Sequence, residues 1–463
     1  MGPFRFTLSD FRDSLHSFVT PDLVLVISKE SILVVNRLIN AVLVSVALWS
    51  STNLFAGDWP HWRGPLRNGI VAEKSGWNGK AWIGDTPAWT ADVGEGASSP
   101  LVVGDFIFTV GWADGRDTLR CLDAASGREL WSASDPSPQW GRFHEGDEGV
   151  YSGACSTPEY DPQTKLIYTL GIDGDLICRD TQTDGKPVWK VNLYDTYHVK
   201  KRPRMTRAPQ RDYGYTSSPL VHGDWLLVEV GAESGCLKAF NKRTGQLIWS
   251  SECTDPAGHN GGPVPMEVES VPCIALFTVQ GLVVIRLDAG HEGRTVGTYP
   301  WITDFANNVA SLAVSGDSVL MTSQYNHKSI CRLKVALSGV EKIWEAEYSS
   351  KVCTPVIHKG HVYFTWQRLR CLDWETGEQK WEGGSFSDPG SCIVTDDDRL
   401  IVYGFNGKLA LVETAVRAPG EYVELAVRDR IFRTEAWPHV VISGGRILCR
   451  DRLGHLVCFQ IAE

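Results

Sequence analysis

The chain has 463 residues, of which 43% are hydrophobic and 22% charged, and its formal net charge is -10. This length admits two or three average domains or one large all-β domain, and the acidic balance argues against a protein that binds nucleic acid or an anionic membrane. Because 18 Trp and 45 Gly stand beside only 4 Met, the composition favours strands, tight turns and aromatic packing over helices.

The first 57 residues differ from the rest of the chain. Arg37 is followed by an uncharged run from Leu38 to Ser51, and then by the small residues Ala56 and Gly57. A positive residue, a short apolar stretch and a small-residue exit are typical of a secretory signal peptide. We therefore expect residues 1–57 to be an N-terminal extension with a signal peptide, and the protein to be secreted or periplasmic with no stable membrane span after cleavage. A retained membrane anchor is the alternative.

Residues 58–85 form a leader segment ahead of any repeat. It contains "WPHWRGPLRNG", with Trp59, Trp62, Arg63 and Asn68. We expect this leader to pack against the repeats that follow. The alternative is that two Trp and an Arg form a stacking surface for a sugar or a partner.

Residues 86–463 consist of one unit written repeatedly. Its opening is an apolar run, a tight turn and a second apolar run, as in "SSPLVVGDFIFTVG" from Ser98 and "SSPLVHGDWLLVEVG" from Ser217. This pattern predicts a β-hairpin whose strands are buried on both faces. A second turn and a third strand follow, and the unit closes on a Trp-bearing fourth strand. Each unit is therefore expected to be a four-stranded antiparallel sheet.

The closing element is recognised by an Asp or Asn, a Gly and a Trp, as in "DAASGRELW" and "DWETGEQKW". The unit ends are Trp89, Trp131, Trp189, Trp249, Trp301, Trp344, Trp381 and Tyr422. Eight units of about 47 residues match propeller blades, so we predict an all-β, eight-bladed β-propeller. Since Trp89 precedes the first full repeat and the last repeat lacks a closing Trp, the N-terminal strand is expected to complete the last blade.

The residues of the closing element have structural roles in this interpretation. Asp123, Asp180, Asn241 and Asp373 cap tight turns through backbone N–H groups rather than binding a ligand, and the Gly adopts a backbone angle that side chains resist. The Trp lays its ring against the adjoining blade, and its indole N–H reaches a carbonyl there. This blade-docking role is assigned to Trp89, Trp131, Trp189, Trp249, Trp301, Trp344 and Trp381.

The twelve cysteines are expected mainly as small buried residues, because Cys121, Cys178, Cys371 and Cys458 recur at one repeat position. A disulfide framework is the alternative for an exported protein. Its best candidate pair is Cys449 with Cys458, which would face each other across a hairpin.

Two long departures from the repeat carry the strongest charge patterns. The one between Trp189 and Tyr213 holds a basic cluster: Lys200, Lys201, Arg202, Arg204, Arg207 and Arg211. Such a cluster suits an anionic polymer, a phosphate head group or an acidic partner, with a solvated excursion as the alternative. The one between Trp131 and Ser152 holds an acidic set: His144, Glu145, Asp147 and Glu148. That set is interpreted as a solvated loop, and the alternative is a site for a hard cation.

One further departure is "GHNGGP", where His259 and Asn260 replace the Ser-Ser that precedes Pro in other repeats. A turn variant is the favoured interpretation. The alternative is that both residues point polar groups into the central channel.

At this point the sequence resembles a known family. The residues concerned are "DWPHWRGPLRNGI" at 58–70, "VGEGASSPLVVGD" at 93–105, "YGYTSSPLVHGDWLLVEVG" at 213–231, "SQYN" at 323–326 and "HLVCF" at 455–459. They resemble the tryptophan-docking repeat of the pyrroloquinoline-quinone (PQQ)-like propellers. The resemblance is nearest to the secreted PQQ-like propellers of planctomycete-type bacteria, and more distant to the outer-membrane assembly lipoprotein and the quinoprotein alcohol dehydrogenases. It implies an eight-bladed propeller outside the cytoplasm.

The resemblance leaves the reaction open. Quinoprotein dehydrogenases hold PQQ and calcium with carboxylate and amide ligands, use an Asp base and carry a disulfide between adjacent cysteines. This chain has no Cys-Cys pair, and the calcium ligands of those enzymes have no matching positions here.

We therefore expect a monomeric, non-catalytic binding or scaffolding propeller of the cell envelope. It is expected to have no catalytic, cofactor-binding or metal-binding residues, to bind a protein or an anionic polymer, and not to bind nucleic acid. The alternative is a PQQ-dependent alcohol or polyol dehydrogenase that uses PQQ with calcium.

Overall fold

The computed structural model describes residues 57–138, 141, 149, 152–199, 214–304, 308–387 and 389–462. Their strands form eight antiparallel sheets, and in each sheet strands that follow one another along the chain are neighbours. First strands of successive blades contact one another, so they surround the central axis. The predicted all-β, eight-bladed propeller is confirmed.

The strands are assigned to blades as follows. Blade 1 contains β2 (Leu101–Val103), β3 (Phe106–Ala113), β4 (Arg116–Asp123) and β5 (Glu129–Pro136). Blade 2 contains β6 (Glu159–Asp161), β7 (Leu166–Leu170), β8 (Asp175–Asp180) and β9 (Lys186–Asn192). Blade 3 contains β10 (Leu220–His222), β11 (Trp225–Ala232), β12 (Gly235–Asn241) and β13 (Leu247–Ser250). Blade 4 contains β14 (Val264–Val268), β15 (Val271–Thr278), β16 (Gly281–Arg286) and β17 (Thr295–Pro300).

The second half of the domain continues the pattern. Blade 5 contains β18 (Ala313–Ser315), β19 (Ser318–Ser323), β20 (Ser329–Ala336) and β21 (Gly339–Ala346). Blade 6 contains β22 (Val356–His358), β23 (His361–Asp373) and β24 (Gln379–Ser387). Blade 7 contains β25 (Gly390–Val394), β26 (Arg399–Gly404), β27 (Lys408–Glu413) and β28 (Glu424–Arg428). Blade 8 contains β29 (Val441–Ser443), β30 (Arg446–Arg450), β31 (His455–Gln460) and β1 (Trp89–Asp92).

Regular helix is confined to short pieces among the described residues. An α-helix, α1 (Leu193–Tyr197), follows blade 2, and 3-10 turns span Thr181–Thr183 and Phe405–Gly407. No helix in the described part of the chain has the length and apolar character needed to cross a bilayer.

Blade 8 is closed by the N-terminal strand, as the sequence predicts. Strand β1 pairs antiparallel with β31, with Trp89 opposite Cys458 and Asp92 opposite His455. The first and last strands of the domain therefore share a sheet, which joins the two ends of the chain into a ring.

Blade 6 departs from the predicted four strands. Its strand β23 runs for 13 residues and takes the place of the second and third strands of the other blades. Gln367 lies within it at φ 62°, and the pairing with β24 shifts between Gln367 and Leu369. The backbone N–H of Trp374 donates to the carbonyl of Gly360 (3.0 Å), so the chain reverses within β23 without the Gly/Asp turn that marks the other hairpins.

The core lies between the blades, because each strand buries both faces. In β27, Leu409 and Leu411 pack with residues of blade 8, whereas Ala410 and Val412 pack with residues of blade 6. Alternate side chains of a strand point to opposite faces, so one apolar run fills two interfaces. This accounts for the continuous apolar runs of the sequence.

The closing elements join successive blades through a Trp and a Gly. A β-carbon on Gly185 would lie 2.5 Å from the ring of Trp131, and one on Gly245 would lie 2.6 Å from the ring of Trp189. The same contact joins Trp89 to Gly127 and Trp344 to Gly377. The indole N–H donates to the carbonyl that follows the turn-capping residue, as from Trp89 to Ala124 (3.1 Å), from Trp189 to Lys242 (3.1 Å) and from Trp344 to Trp374 (2.9 Å).

Three predicted docking residues make other contacts. Gly297, opposite Val284 at the register shift, occupies the position that Trp131 holds in blade 1, so Trp301 lies beyond the docking position. Trp301 instead stacks on His327 of blade 5, with ring centroids 3.6 Å apart. Trp249 packs edge-on against Trp225, and Trp381 packs against Tyr422.

The cysteines at the repeat position lie opposite the docking Trp. Cys121 pairs with Trp131, Cys178 with Trp189, Cys371 with Trp381, and Cys458 with Trp89. All twelve cysteines lie in the described residues and are free thiols in this structure.

The register of the last hairpin does not allow the disulfide considered between Cys449 and Cys458. Cys449 lies opposite Val457, so Cys458 points to the other face of the sheet and cannot face Cys449.

Candidate functional site

The leader segment, residues 58–85, lies across the side of the propeller that carries the first turn of each blade. It forms isolated β-bridges from Trp59 to Val102, from Ile70 to Val394 and from Ile83 to Ile461, which reach blades 1, 7 and 8. Glu73 also accepts hydrogen bonds from the backbone N–H groups of Gly444 (2.8 Å) and Gly445 (3.2 Å). The leader therefore contacts both sides of the junction at which the ring closes.

Arg63 fastens the middle of the leader to blade 6. Its side chain is buried and donates to the carbonyl oxygens of Pro355 (2.6 Å) and Asn68 (3.1 Å). Burial lowers the pKa of Arg63 to about 10. Because the hydrogen bonds of the Arg63 guanidinium go to backbone carbonyl oxygens, this side chain has a structural role rather than a role in binding a substrate.

Glu159 anchors the start of the leader. Its carboxylate is fully buried and accepts from the backbone N–H of Val221 (2.9 Å), pairs with His61 (3.0 Å) and accepts from Arg67. Burial raises the pKa of Glu159, but the charges of Arg67 and His61 outweigh burial and hold that pKa below its usual value. One carboxylate thus ties the leader to blades 2 and 3.

Trp62 of the leader lies at the base of a cavity on the central axis. A β-carbon on Gly261 would lie 2.4 Å from the Trp62 ring, so the ring rests directly on the backbone there. The cavity has a volume of about 110 Å³. Its wall includes one residue from each blade, close to the start of the first strand: Ser99, Thr157, Ser218, Gly261, Ser311, Thr354, Ser391 and His439.

These wall residues hydrogen-bond to each other from blade to blade. The backbone N–H of Ser99 donates to the Thr157 hydroxyl (3.0 Å), and that of Thr157 donates to the Ser218 hydroxyl (3.1 Å). In the same way, the backbone N–H of Gly261 donates to the Ser311 hydroxyl (2.7 Å), that of Ser311 to the Thr354 hydroxyl (3.0 Å) and that of His439 to the Ser99 hydroxyl (2.8 Å). We call this set the hydroxyl ring. Its oxygens act as acceptors for backbone donors that would otherwise be buried without partners.

His259 and Asn260 of "GHNGGP" lie in a turn that also faces the central channel, so the turn and channel interpretations both apply. Both residues line the cavity. The Asn260 amide donates to the carbonyl of Phe277 (2.6 Å), and its oxygen accepts from the N–H of Gly262 (3.0 Å). The Asn260 side chain is therefore used to hold the turn, while the segment as a whole faces the channel.

The charged groups of the cavity are few. Burial lowers the pKa of His439 to about 3, so this imidazole is neutral at ordinary pH. Its Nδ1 lies 2.8 Å from the carbonyl of Val440. Arg452 lies over the ring of Trp437 at 5.5 Å and donates to the carbonyl of Ser152 (3.0 Å). No carboxylate is among the described residues that line this cavity.

A second, smaller cavity of about 20 Å³ lies between blades 1 and 2. Asp117, Asp135, Asp173 and Asp175 line it together with Arg179. Burial, together with the negative charges of Asp173, Asp135 and Asp175, raises the pKa of Asp117 to about 7 against a hydrogen bond from Ser137 that lowers it. Within the described ranges, no group of three His, Cys, Asp or Glu side chains is arranged to hold a metal ion.

Two predicted charge clusters lie outside the described residues. They are the basic set Lys200, Lys201, Arg202, Arg204, Arg207 and Arg211, and the acidic set His144, Glu145, Asp147 and Glu148. The described chain stops at Val199 before the basic set and resumes at Gly214 after it.

Packing of the leader against the repeats was anticipated from sequence, whereas the hydroxyl ring and the buried residues that hold the leader were not. A signal for the ring is present, because Ser or Thr directly precedes Pro in "SSP", "STP" and "CTP" ahead of the first strands. No comparable signal marks Glu159, whose partners lie 62, 92 and 98 residues away.

Comparisons with known proteins agree with this architecture. Residues 116–383, more than half of the chain, match the PQQ_2 family model, described as outer membrane protein assembly factor BamB. The dehydrogenase subunit of the quinone alcohol dehydrogenase of Gluconobacter oxydans is 30% identical over 158 residues, which cover 33% of this chain and 18% of that subunit. BamB of Bordetella pertussis is 24% identical over 239 residues, which cover 48% of this chain and 58% of that protein. The chain thus spans less than two thirds of the length of these relatives.

Solved structures show the same fold. BamB from Moraxella catarrhalis superposes with a TM-score of 0.55 at 13% identity, covering 81% of this chain and 99% of that one. The quinohemoprotein alcohol dehydrogenase of Comamonas testosteroni gives a TM-score of 0.57 at 12% identity, covering 88% of this chain and 81% of that one.

Proposed function

Because this chain belongs to the PQQ_2 family, whose model is described as outer membrane protein assembly factor BamB, we propose that it is a non-catalytic binding or scaffolding propeller of the cell envelope. In this proposal residues 1–57 direct export, and the protein acts as a monomer that presents the rim and loops of a rigid ring to a partner. Loops on a rigid scaffold are where binding residues concentrate.

The observation that supports this function best is the use of the central hydroxyls. Catalytic propeller chemistry would need polar groups that are available to a substrate, whereas the hydroxyl oxygens of Thr157, Ser218 and Ser311 already accept backbone N–H groups of neighbouring blades. The leader also blocks one end of the cavity with Trp62. The axis is therefore built for holding the blades together.

The described cavity does not fit the quinone cofactor that the fold family implies. PQQ is an anionic tricyclic quinone, and pockets for ligands of that size measure roughly 300–1,000 Å³, against about 110 Å³ here. Among the described lining residues Arg452 is the only side chain with a permanent positive charge, and none is a carboxylate. Calcium needs several oxygen ligands, usually including carboxylates, so the donor set does not suit the metal either.

We assign partner binding to the basic segment from Lys200 to Arg211. Six positive charges in twelve residues stand out in a chain of net charge -10. The segment connects blades 2 and 3, since the described chain ends with Val199 beyond α1 and resumes ahead of β10. A cluster of this kind attracts an acidic protein surface or an anionic polymer.

A capture experiment tests this function. The full chain and a variant with Lys200, Lys201, Arg202, Arg204, Arg207 and Arg211 replaced by Gln are incubated with envelope extract at low and high salt. A control replaces six exposed basic residues elsewhere with Gln: Lys74, Lys80, Arg128, Lys186, Arg243 and Lys328. Both variants lose six positive charges, so their formal net charge changes from -10 to -16. Loss of a salt-sensitive partner from the first variant alone supports the proposal, and equal capture by all three proteins contradicts it.

The second candidate function is a quinone-dependent alcohol or polyol dehydrogenase. The 30% identity with the Gluconobacter oxydans subunit over 158 residues is the observation in its favour. Dye-linked oxidation of alcohols or polyols after addition of PQQ and calcium would establish it.

A further inference from the structure

One pair of thiols lies close together near the outer edge of blade 3. Cys236 is the second residue of β12, and Cys253 lies just beyond β13 in the connection to blade 4. The backbone N–H of Cys236 donates to the carbonyl of Cys253 at 2.6 Å, and the N–H of Ser251 donates to the carbonyl of Leu237 at 2.9 Å. The second bond continues the β12–β13 ladder to Leu237 and Ser251, and the first bond holds Cys253 beside Cys236.

This backbone geometry suits a disulfide. With standard bond lengths, an N···O distance of 2.6 Å keeps the Cα atoms of Cys236 and Cys253 within about 6.8 Å, and disulfides join Cα atoms roughly 4.4–6.8 Å apart. The two thiols also lie near enough to shift each other's pKa, raising that of Cys236 and lowering that of Cys253. The Ser251 hydroxyl lies 3.5 Å from the sulfur of Cys236 and donates to the carbonyl of Cys253 (3.0 Å).

The two thiols differ in accessibility and acidity. Cys236 is buried, whereas Cys253 is partly exposed. The hydrogen bond from Cys236 lowers the pKa of Cys253 against its burial, and the N–H of Asp255 at 3.5 Å lowers that pKa further. The same shared bond, together with burial, raises the pKa of Cys236. Cys253 is therefore the thiol that ionises first and meets solvent, which are the properties of an attacking cysteine.

We propose that Cys236 and Cys253 form a disulfide in the exported protein, an inference that rests on the proposed envelope location for its oxidant. That oxidant is a disulfide of another molecule, such as a dithiol-disulfide oxidoreductase or oxidised glutathione. The Cys253 thiolate attacks one sulfur of that disulfide and releases a thiolate. Cys236 then loses its proton and attacks the Cys253 sulfur, releasing a second thiolate. Two thiols lose two protons and two electrons, and one disulfide is reduced to two thiols.

The bridge would fix the connection that builds part of the cavity wall. The chain runs from Cys253 to His259, Asn260 and Gly261, which line the cavity above Trp62. A covalent link to β12 restricts this connection at its start, so it holds the junction of blades 3 and 4.

The test uses the full chain, purified reduced and folded, and then exposed to oxidised glutathione. After denaturation, thiols are counted with a maleimide before and after reduction, and peptides are mapped by mass spectrometry. For the wild type we expect ten reactive thiols before reduction and twelve after it, since two of the twelve cysteines are bridged, and a cross-linked peptide of Cys236 with Cys253. Cys253→Ser should give eleven thiols in both conditions. The control Cys155→Ser, which removes another partly exposed thiol, should keep the bridge.

Absence of the cross-linked peptide would overturn the proposal, as would glutathione that stays attached to Cys253. In the second arm of the experiment the protein is isolated from its own cells after its free thiols have been blocked, and the same peptides are mapped. A bridge in both arms supports the disulfide and the envelope location. A bridge in vitro with reduced thiols in the cells supports the pair and contradicts the location.

Discussion

Each docking Trp ring lies against a glycine of the next blade, in the space that a β-carbon on that glycine would fill. Gly245 has φ 71° and lies under Trp189, so both its backbone angle and its lack of a side chain are used. The repeated Gly of the closing element is therefore required for two separate physical reasons. Sequence reasoning found only the first.

Replacing Gly245 separates these two reasons. Gly245→Ala should lower the free energy of unfolding by about 2–4 kcal/mol, because the left-handed angle costs about 1 kcal/mol and displacing the Trp189 ring costs about 1–3 kcal/mol more. Gly223→Ala is the matched control, since Gly223 has φ 58° and nothing within 4 Å of its β-carbon position. It should cost about 1 kcal/mol. Urea unfolding measures both, and equal losses would contradict the docking account.

Asp117 gives a pH-dependent prediction. Burial raises its folded-state pKa to about 7, whereas the unfolded value is near 3.8. The native state then binds a proton more tightly than the unfolded state, so this group's contribution to stability falls as pH rises from about 4 to about 7. Asp117→Asn should leave stability near pH 4 almost unchanged and raise it by on the order of a few kcal/mol at pH 8, measured by urea unfolding at each pH.

Asp123 provides the control with the opposite sign. Hydrogen bonds from the Ser126 side chain and backbone lower the pKa of Asp123. The contribution of Asp123 to the stability of the fold is therefore present at neutral pH and is lost as pH falls. Asp123→Asn should therefore be less stable than the wild type at pH 8, and this difference should vanish in acid. Parallel pH profiles for the wild type and Asp117→Asn would show that Asp117 is not the group that titrates.

At the scale of elements, the leader acts as a strap across the closure of the ring. It joins blade 1 through Trp59, blade 7 through Ile70 and blade 8 through Ile83. Strand β1 then completes blade 8. Two successive parts of the N-terminal chain therefore secure blade 8, in which the pairing of β1 with β31 closes the ring.

Glu159 is the residue whose loss should release the strap. Glu159→Gln leaves Arg67 and His61 without their buried carboxylate, and breaking a buried pair in this way costs about 3–5 kcal/mol. Hydrogen exchange should become faster in residues 59–71, and the free energy of unfolding should fall. Glu375→Gln is the control, because Glu375 is exposed and pairs with Arg332 at the surface, where such a pair contributes about 0–1 kcal/mol. Unchanged exchange in the leader of Glu159→Gln would contradict the strap.

At the scale of the whole molecule, the blade number and the ring closure were predictable because the repeat is a local pattern. Apolar runs, Gly turns and the Asp-Gly-Trp spacing each specify structure within a few residues. Two exceptions lack this local signal. In blade 4 Gly297 occupies the docking position opposite Val284, and Trp301 follows four residues later. In blade 6 the chain reverses within β23 without a Gly/Asp turn.

The candidate site was less predictable for the same reason. The hydroxyl ring joins residues such as Ser99 and Thr157, which lie 58 positions apart, and His439 and Ser99, which lie 340 apart. The position of "GHNGGP" at the channel had a sequence signal, and so did the Ser-Pro and Thr-Pro pairs of the ring, but neither signal specifies the partner in the next blade. The hairpin disulfide failed because one residue of register reverses the face on which Cys458 lies.

The described residues from Gly57 onward thus form a ring whose polar centre holds the blades together and whose leader covers one side. A rigid ring of this kind suits a scaffold, since its binding residues can lie on the loops without affecting the core. The proposal of a non-catalytic propeller depends on the small size of the central cavity and on the lack of carboxylates among its described lining residues.

Calorimetric titration of the full chain with PQQ in the presence of calcium tests that claim most directly. Calcium alone, and PQQ alone, serve as the control titrations. The account predicts no saturable heat, because a cavity of about 110 Å³ without carboxylates offers neither space for the quinone nor ligands for the metal. Saturable one-to-one binding of PQQ at micromolar concentrations would contradict it and establish the quinone-dependent alternative.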